Sequence, residues 1–305
     1  MDILNIEHLH KSFGNNQVIK DLSFSVPEHS VFGFLGQNGA GKTTTMKMVL
    51  GLLKADSGNI SVCGEPVSYG QTKTNRFIGY LPDVPEFYNY MNATEYLRMC
   101  GDITGMSIGE IKAKTKELLA LVGLENVNKR IGSYSRGMKQ RLGIAQALLN
   151  DPILLICDEP TSALDPIGRI EILDILQRVK GKTTVIFSTH ILSDVERICD
   201  RVAVLHEGKL VLSGTLTDIK LKHKQDGIRI EFSSHEDLVT LISNERMNPY
   251  LSGAEKTDLG VTLHTHDVLK TESEVIAILA EQNILPTKLE VLEPTLESLF
   301  IEVVR

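Results

Sequence analysis

GQNGAGKTT, residues 36–44, follows directly on the apolar run Val31-Phe32-Gly33-Phe34-Leu35. It satisfies GxxxxGK[ST] between a strand and a helix opening near Lys42, with Met46, Val49, Leu50 and Leu53 at helical spacing. Gly36, Gly39 and Gly41 permit backbone angles closed to other residues. The N–H groups of the loop, with Gln37, Asn38 and Ala40 between the glycines, can then curl around a β-phosphate. The helix N-terminus adds a favourable dipole. Lys42 can reach the β and γ phosphates, Thr43 can ligate Mg2+, and Thr44 completes the motif. The bland reading is a glycine-rich turn that holds nothing; the strand–loop–helix setting speaks against it.

Such a loop needs a second acid for the metal, at the end of another core strand. Ile153-Leu154-Leu155-Ile156-Cys157 is an apolar run that ends in Asp158-Glu159. Asp158 can hold Mg2+ through water. Glu159 is the natural general base for an attacking water, a role worth about 10²–10⁴ in rate. Alone, the run is equally well explained as a solvated strand end; it gains its meaning from the loop at 36–44.

Outward from these two motifs, 3–7 and 17–26 alternate apolar and polar residues, bounded by Gly14-Asn15-Asn16 and Pro27, and predict strands joined by a tight turn. Strand pattern returns at 58–69, and further strands are expected at 153–157, 184–188 and 202–205, separated by helices at 167–179 and 191–199. This alternation predicts a mostly parallel sheet flanked by helices. Helical patterns at 94–100, 108–122 and 138–149 interrupt it, so the stretch of about 86–150 is expected to be an inserted subdomain.

Composition narrows the class. The 305 residues are 42% hydrophobic and 23% charged, as in a globular protein, and the length suggests roughly two domains. Residues 1–215 carry 23 basic and 23 acidic groups; residues 216–305 carry 9 and 16, which is the whole net charge of −7. An acidic balance argues against a broad electrostatic grip on nucleic acid. No apolar run approaches the ~18 residues of a spanning helix, and MDILNIEHLHKSFG lacks the layout of a signal peptide. Cys63, Cys100, Cys157 and Cys199 are scattered, without zinc spacing, which suits a reducing cytosol.

In chain order come Phe13, the loop at 36–44, YLPD at 80–83, YSRGMKQR at 134–141, LLICDEP at 154–160, SALD at 162–165 and STH at 188–190. This succession resembles the nucleotide-binding subunit of ATP-binding cassette (ABC) transporters, of the single-cassette type that pairs with a separate permease. The resemblance spans about residues 3–215. Other P-loop classes fit worse, since no guanine-reading NKxD appears and the helical block lacks a kinase lid pattern. The fold it implies is α/β: a P-loop NTPase core with an antiparallel β subdomain and an inserted helical subdomain.

The resemblance also implies site residues. Phe13 would stack on adenine, although a core phenylalanine at a strand end competes with that reading. Val18 would add apolar contact to the ring or ribose. Ser135 and Gly137 fall in the family's LSGGQ signature, at the N-terminus of a helix, and would contact the γ-phosphate bound by the other subunit. His190 resembles the switch histidine that contacts the γ-phosphate and backs Glu159. Asp165 would cross the dimer interface. Asp83 stands where the family usually has Gln and could still ligate Mg2+. Arg136 replaces a small glycine of the signature; it could add positive charge near the phosphates or point to solvent, and solvent is the expectation. VPEFYNYMNATEY, 84–96, is aromatic where relatives receive the permease; packing within the helical subdomain explains it equally well.

Residues 216–305 lie outside the resemblance to the cassette core. Strands are expected at 228–232, 261–264 and 288–292, and helices at 236–245, 273–282 and 295–303, a small α+β unit of ferredoxin-like (βαββαβ) order. His264 and His266 alternate in a strand and read as solvent-facing. The expected protein is therefore an ATP hydrolase using ATP and Mg2+, peripheral on the cytoplasmic face of a membrane. It would dimerise head-to-tail with a second ATP-binding subunit and drive an integral-membrane permease, an exporter of antibiotics, peptides or lipids, without nucleic acid. A soluble cassette ATPase of DNA repair or translation is the rival; those carry coiled-coil insertions or two cassettes, absent here. A nucleotide-binding regulator without turnover is a third reading, opposed by Glu159 and His190.

Overall fold

The computed structural model describes residues 2–71, 73–222, 227–265, 267–292, 296–297 and 299–300. Its backbone falls into one unit over Met1–Leu216 and a second from Thr217 onward. The first opens with two long strands, β1 (Asp2–Phe13) and β2 (Asn16–Pro27), paired antiparallel around the turn at Gly14-Asn15. Their apolar positions Ile3, Leu4, Ile6, Leu9, Ile19, Leu22 and Val26 are all buried. Next come β3 (Val31–Leu35), α1 (Lys42–Val49), β4 (Ser57–Val62) and β5 (Glu65–Pro66). The single strand pattern at 58–69 is thus broken in two, because Cys63 and Gly64 both take positive φ (51° and 77°) and turn the chain. The four strands form an antiparallel sheet of order β2-β1-β4-β5.

The chain then enters β6 (Ile78–Leu81), a strand too short to be anticipated, and three helices: α2 (Ala93–Ile103), α3 (Ile108–Leu121) and α4 (Arg136–Ala147). Asn92 with Glu95, and Ser107 with Glu110, close capping boxes that fix the starts of α2 and α3. The side chain of Ser135 accepts the Met138 N–H, so α4 begins at Arg136, earlier than its apolar spacing indicates. The chain returns through β7 (Leu154–Asp158), α5 (Pro166–Val179), β8 (Thr184–Thr189), α6 (Leu192–Ile198), β9 (Arg201–His206) and β10 (Lys209–Thr215). The main sheet has the order β10-β9-β3-β8-β7-β6. Its inner strands are parallel and β10 is an antiparallel edge.

Alternation along β3 shows how the layers meet. Phe32 and Phe34 point toward the antiparallel sheet, where Phe24 of β2 lies 5.5 and 5.3 Å from them, ring centroid to centroid. Met46, Met48 and Val49 of α1 fill the same core. Gly33 points the other way, where a Cβ would come within 2.9 Å of Val195 on α6. On β6, a Cβ at Gly79 would run into the Ala147 carbonyl of α4, so that helix lies directly on the strand.

The second unit carries α7 (Leu216–Lys222) across its boundary. It continues through β11 (Gly227–Glu231), α8 (His235–Ile242), α9 (Asn248–Leu251), β12 (Glu255–Lys256), β13 (Gly260–His264), α10 (Val268–Glu281) and β14 (Lys288–Leu292). The sheet is antiparallel in the order β12-β13-β11-β14. Ile228, Ile230, Val261 and Leu263 pack against Leu238, Leu241, Val275 and Ile278 in a core of their own. Asp267 caps α10, which starts earlier than its periodic residues suggest. The helix expected at 295–303 falls largely, and His266 wholly, outside the described residues; His264 is exposed beside Glu255 at 3.8 Å.

Candidate active site

Three adjacent parallel strands end together, β3, β8 and β7, with Leu35 level with Thr189 and Asp158 level with Ser188. The chemistry-bearing turns leave their carboxyl ends, the usual place for a ligand in an open α/β sheet. Gly39 and Gly41 take φ of 84° and 111°, backbone closed to ordinary side chains, and Gly41 is the N-cap of α1. At Gly36 a Cβ would lie 2.5 Å from the Leu205 carbonyl, so β9 also demands glycine there. Gln37, Asn38, Gly39 and Thr43 are exposed, Ala40 is buried, and Thr44 is intermediate.

Lys42 is 6% exposed. Its Nζ donates to the carbonyls of Gly36 (2.6 Å) and Gln37 (3.3 Å) and pairs with Glu159 Oε1 at 3.2 Å. Glu159 leaves β7 in a left-handed turn, φ 49°, a strained position for a residue with a Cβ. Its other oxygen, Oε2, lies 2.9 Å from His190 Nδ1. One carboxylate thus joins the loop lysine to the histidine after β8. Gln37, Asn38, Gly39, Gly41, Lys42, Thr43, Thr44, Asp83 and Glu159 line a cavity of about 350 Å³. A larger hollow, about 440 Å³, opens between α2 and α3 beside Ile108, Ile111 and Leu119. Its lining carries Arg98, Lys112, Lys116 and Glu125 but no glycine-rich loop to cradle a phosphate, so the loop cavity is the candidate site.

Ser188, fully buried, holds both acids. Its Oγ donates to Asp158 Oδ1 at 2.6 Å and accepts the Glu159 N–H at 3.0 Å. The residue sits in STH, whose histidine alone drew a role from the sequence. Burial and the Asp158 charge push the Tyr80 phenol up to about 12 and raise the Cys157 thiol. A buried cluster lies behind: Asp194 accepts from Thr161 (2.7 Å) and from Arg169 (2.6 Å), tying the turn after Glu159 to α6.

For Mg2+, the donors nearby are oxygens, the Thr43 hydroxyl and the carboxylates of Asp158 and Asp83, which suit a hard cation. Among the described residues no three His, Cys, Asp or Glu groups converge as a metal set.

Other sequence-picked residues are placed as follows. Phe13 is not a core residue: its ring is 51% exposed at the end of β1, with Lys11 Nζ 5.3 Å from its centroid. Val18 packs on the core with its carbonyl beside Gly41. Ser135 caps α4, and the space over Gly137 is open apart from Leu164 at 3.9 Å. Asp165 caps α5, accepting the Gly168 N–H. Arg136 does not simply face solvent: its Nη2 lies 3.5 Å from Asp83 Oδ1, drawn there by opposite charge. In the aromatic stretch, Phe87 packs edge-on against buried Tyr96 at 5.0 Å, while Tyr88 and Tyr90 are exposed. Among the described residues no helix is long and apolar enough to cross a membrane.

A family model described as ABC transporter matches residues 19–162. Over 219 residues the chain is 47% identical to YxlF, an uncharacterized ABC transporter ATP-binding protein of Bacillus subtilis, covering 72% of each. It is 34% identical to the bacitracin transport ATP-binding protein BcrA of Bacillus licheniformis, over 99% of this chain and 97% of that one. Among solved structures, cbiO1 of Clostridium perfringens, part of the ABC transporter complex cbiONQ, superposes with a TM-score of 0.67 at 28% identity, covering 72% of this chain and 91% of that one.

Proposed function

Since the chain belongs to the ABC transporter ATP-binding proteins, ATPases coupled to transport, we propose that it binds ATP·Mg2+ at the 36–44 loop and hydrolyses it with Glu159 as general base. The observation that carries this reading is the single carboxylate shared by Lys42 and His190 beside the loop cavity. Loop N–H groups and the head of α1 would cradle the β-phosphate, and Lys42 would neutralise the β and γ oxygens. Phe13, exposed at a strand end, would stack on adenine, with Val18 flanking it. Glu159 would take the proton of the attacking water, and His190 would hold that carboxylate in place. Mg2+, held by Thr43 and Asp158 with Asp83 nearby, would supply charge neutralisation on the phosphates.

Two such chains would close head-to-tail, with Ser135 and Gly137 of one meeting the γ-phosphate held by the other. That cycle would drive a separate integral-membrane permease from its cytoplasmic face. Exposed Tyr88 and Tyr90 support a docking surface for that permease, and the bacitracin relative supports an exporter of antibiotics, peptides or lipids. Glu159→Gln tests the chemistry. ATP binding should persist, turnover should fall by about 10²–10⁴, and gel filtration with ATP should show a dimer. A fully active monomer would overturn the assignment.

A further inference from the structure

Asp83 and Arg136 are two places where this chain departs from the usual family pattern, and the fold brings them into one contact. Arg136 Nη2 stands 3.5 Å from Asp83 Oδ1, with the side chains 44% and 47% exposed. One turn along α4, fully buried Gln140 donates Nε2 to the Asp83 carbonyl at 2.6 Å. The turn after β6 is therefore held to the head of α4 by a charge and by an amide. Asp83 also lines the cavity of Lys42, Thr43 and Glu159. A bare carboxylate there adds like charge where a triphosphate gathers, a repulsion felt within a Debye length of about 10 Å at 0.1 M salt.

We propose that Arg136 is a positioning residue for the ATP of its own chain: it neutralises Asp83 and fixes the 82–86 turn, so that the cavity accepts a triphosphate despite the extra acid. The two departures then compensate one another, and each is tolerable because of the other. This rests on the loop cavity being the ATP site.

The test is a double-mutant cycle on the full chain, read as ATP·Mg2+ affinity by equilibrium titration. Arg136→Ala should weaken binding about fivefold at low salt, the upper end for an exposed pair. The loss should shrink near 1 M salt, where the Debye length is about 3 Å. Arg136→Lys, which keeps the charge, should retain most of the affinity. In an Asp83→Asn background, taken as its own reference because Asp83 is a candidate Mg2+ donor, adding Arg136→Ala should change the affinity by less than about twofold. A purely structural role for Arg136 would leave the same loss in the Asp83→Asn background, and that result overturns the proposal. So does an Arg136→Ala protein that is folded by circular dichroism and binds normally. If Lys42→Ala binds ATP as well as the parent, the site reading itself fails and takes this inference with it; if only the cycle is additive, the site reading stands.

Discussion

Ser188 is the residue through which the two acids share one support. Its Oγ donates a hydrogen bond to Asp158 and accepts one from the Glu159 N–H, so it fixes a candidate metal ligand and the strained turn of the candidate base at once. Ser188→Ala would leave a buried carboxylate oxygen and an N–H short of partners, at a cost of about 1–3 kcal/mol in stability. Turnover should fall by about 10–100-fold, while ATP affinity stays within about threefold; steady-state kinetics beside a binding titration would separate the two. Equal losses in both would reduce Ser188 to a structural serine. At this scale the sequence is legible where chemistry dictates residue type, as at Lys42, Asp158 and Glu159. It is mute where a partner comes from a distant strand. Ser188 lies 30 residues from Asp158, and the Arg136–Asp83 contact spans 53. Side-chain pairing at such separations is a product of sheet order, which no local pattern encodes.

At the scale of elements, long periodic segments and capped helices could be read from the sequence, and short edge elements could not. The strand β6 has four residues, too few for a period to show, yet it adds the outer parallel strand and carries the chain to Asp83. The strand β10 is illegible in the sequence for another reason. Its residues are half-covered rather than buried, so no apolar run marks them. The contact between β6 and α4 rests on Gly79, whose missing side chain lets the helix backbone lie against the strand. Gly79→Ala should force them apart and cost about 1–3 kcal/mol, lowering the melting temperature by about 2–10 °C. An unchanged melting curve would mean the layer yields freely. The same packing seats the tail of α4 on the sheet, so Ser135 and Arg136 at its head are carried on a rigid rod.

For the whole molecule, separate cores divide the labour. The first unit is built on the cluster around Phe32, Phe34 and Met46, and the second on the cluster around Ile228 and Ile278. Residues 1–216 alone should fold and bind ATP within about twofold of the full chain; loss of binding on removing the rest would show that the second unit supports the site. The charge asymmetry follows the same division, since the whole −7 resides in 216–305 and the part with the loop is balanced. That balance is also local. Lys42 is answered by Glu159 at 3.2 Å, so an arriving phosphate must win the lysine from the very carboxylate proposed to activate water. On that proposal the site would be an interlock: the event that delivers the substrate would also free the base, and neither half of the reaction would be armed without the other.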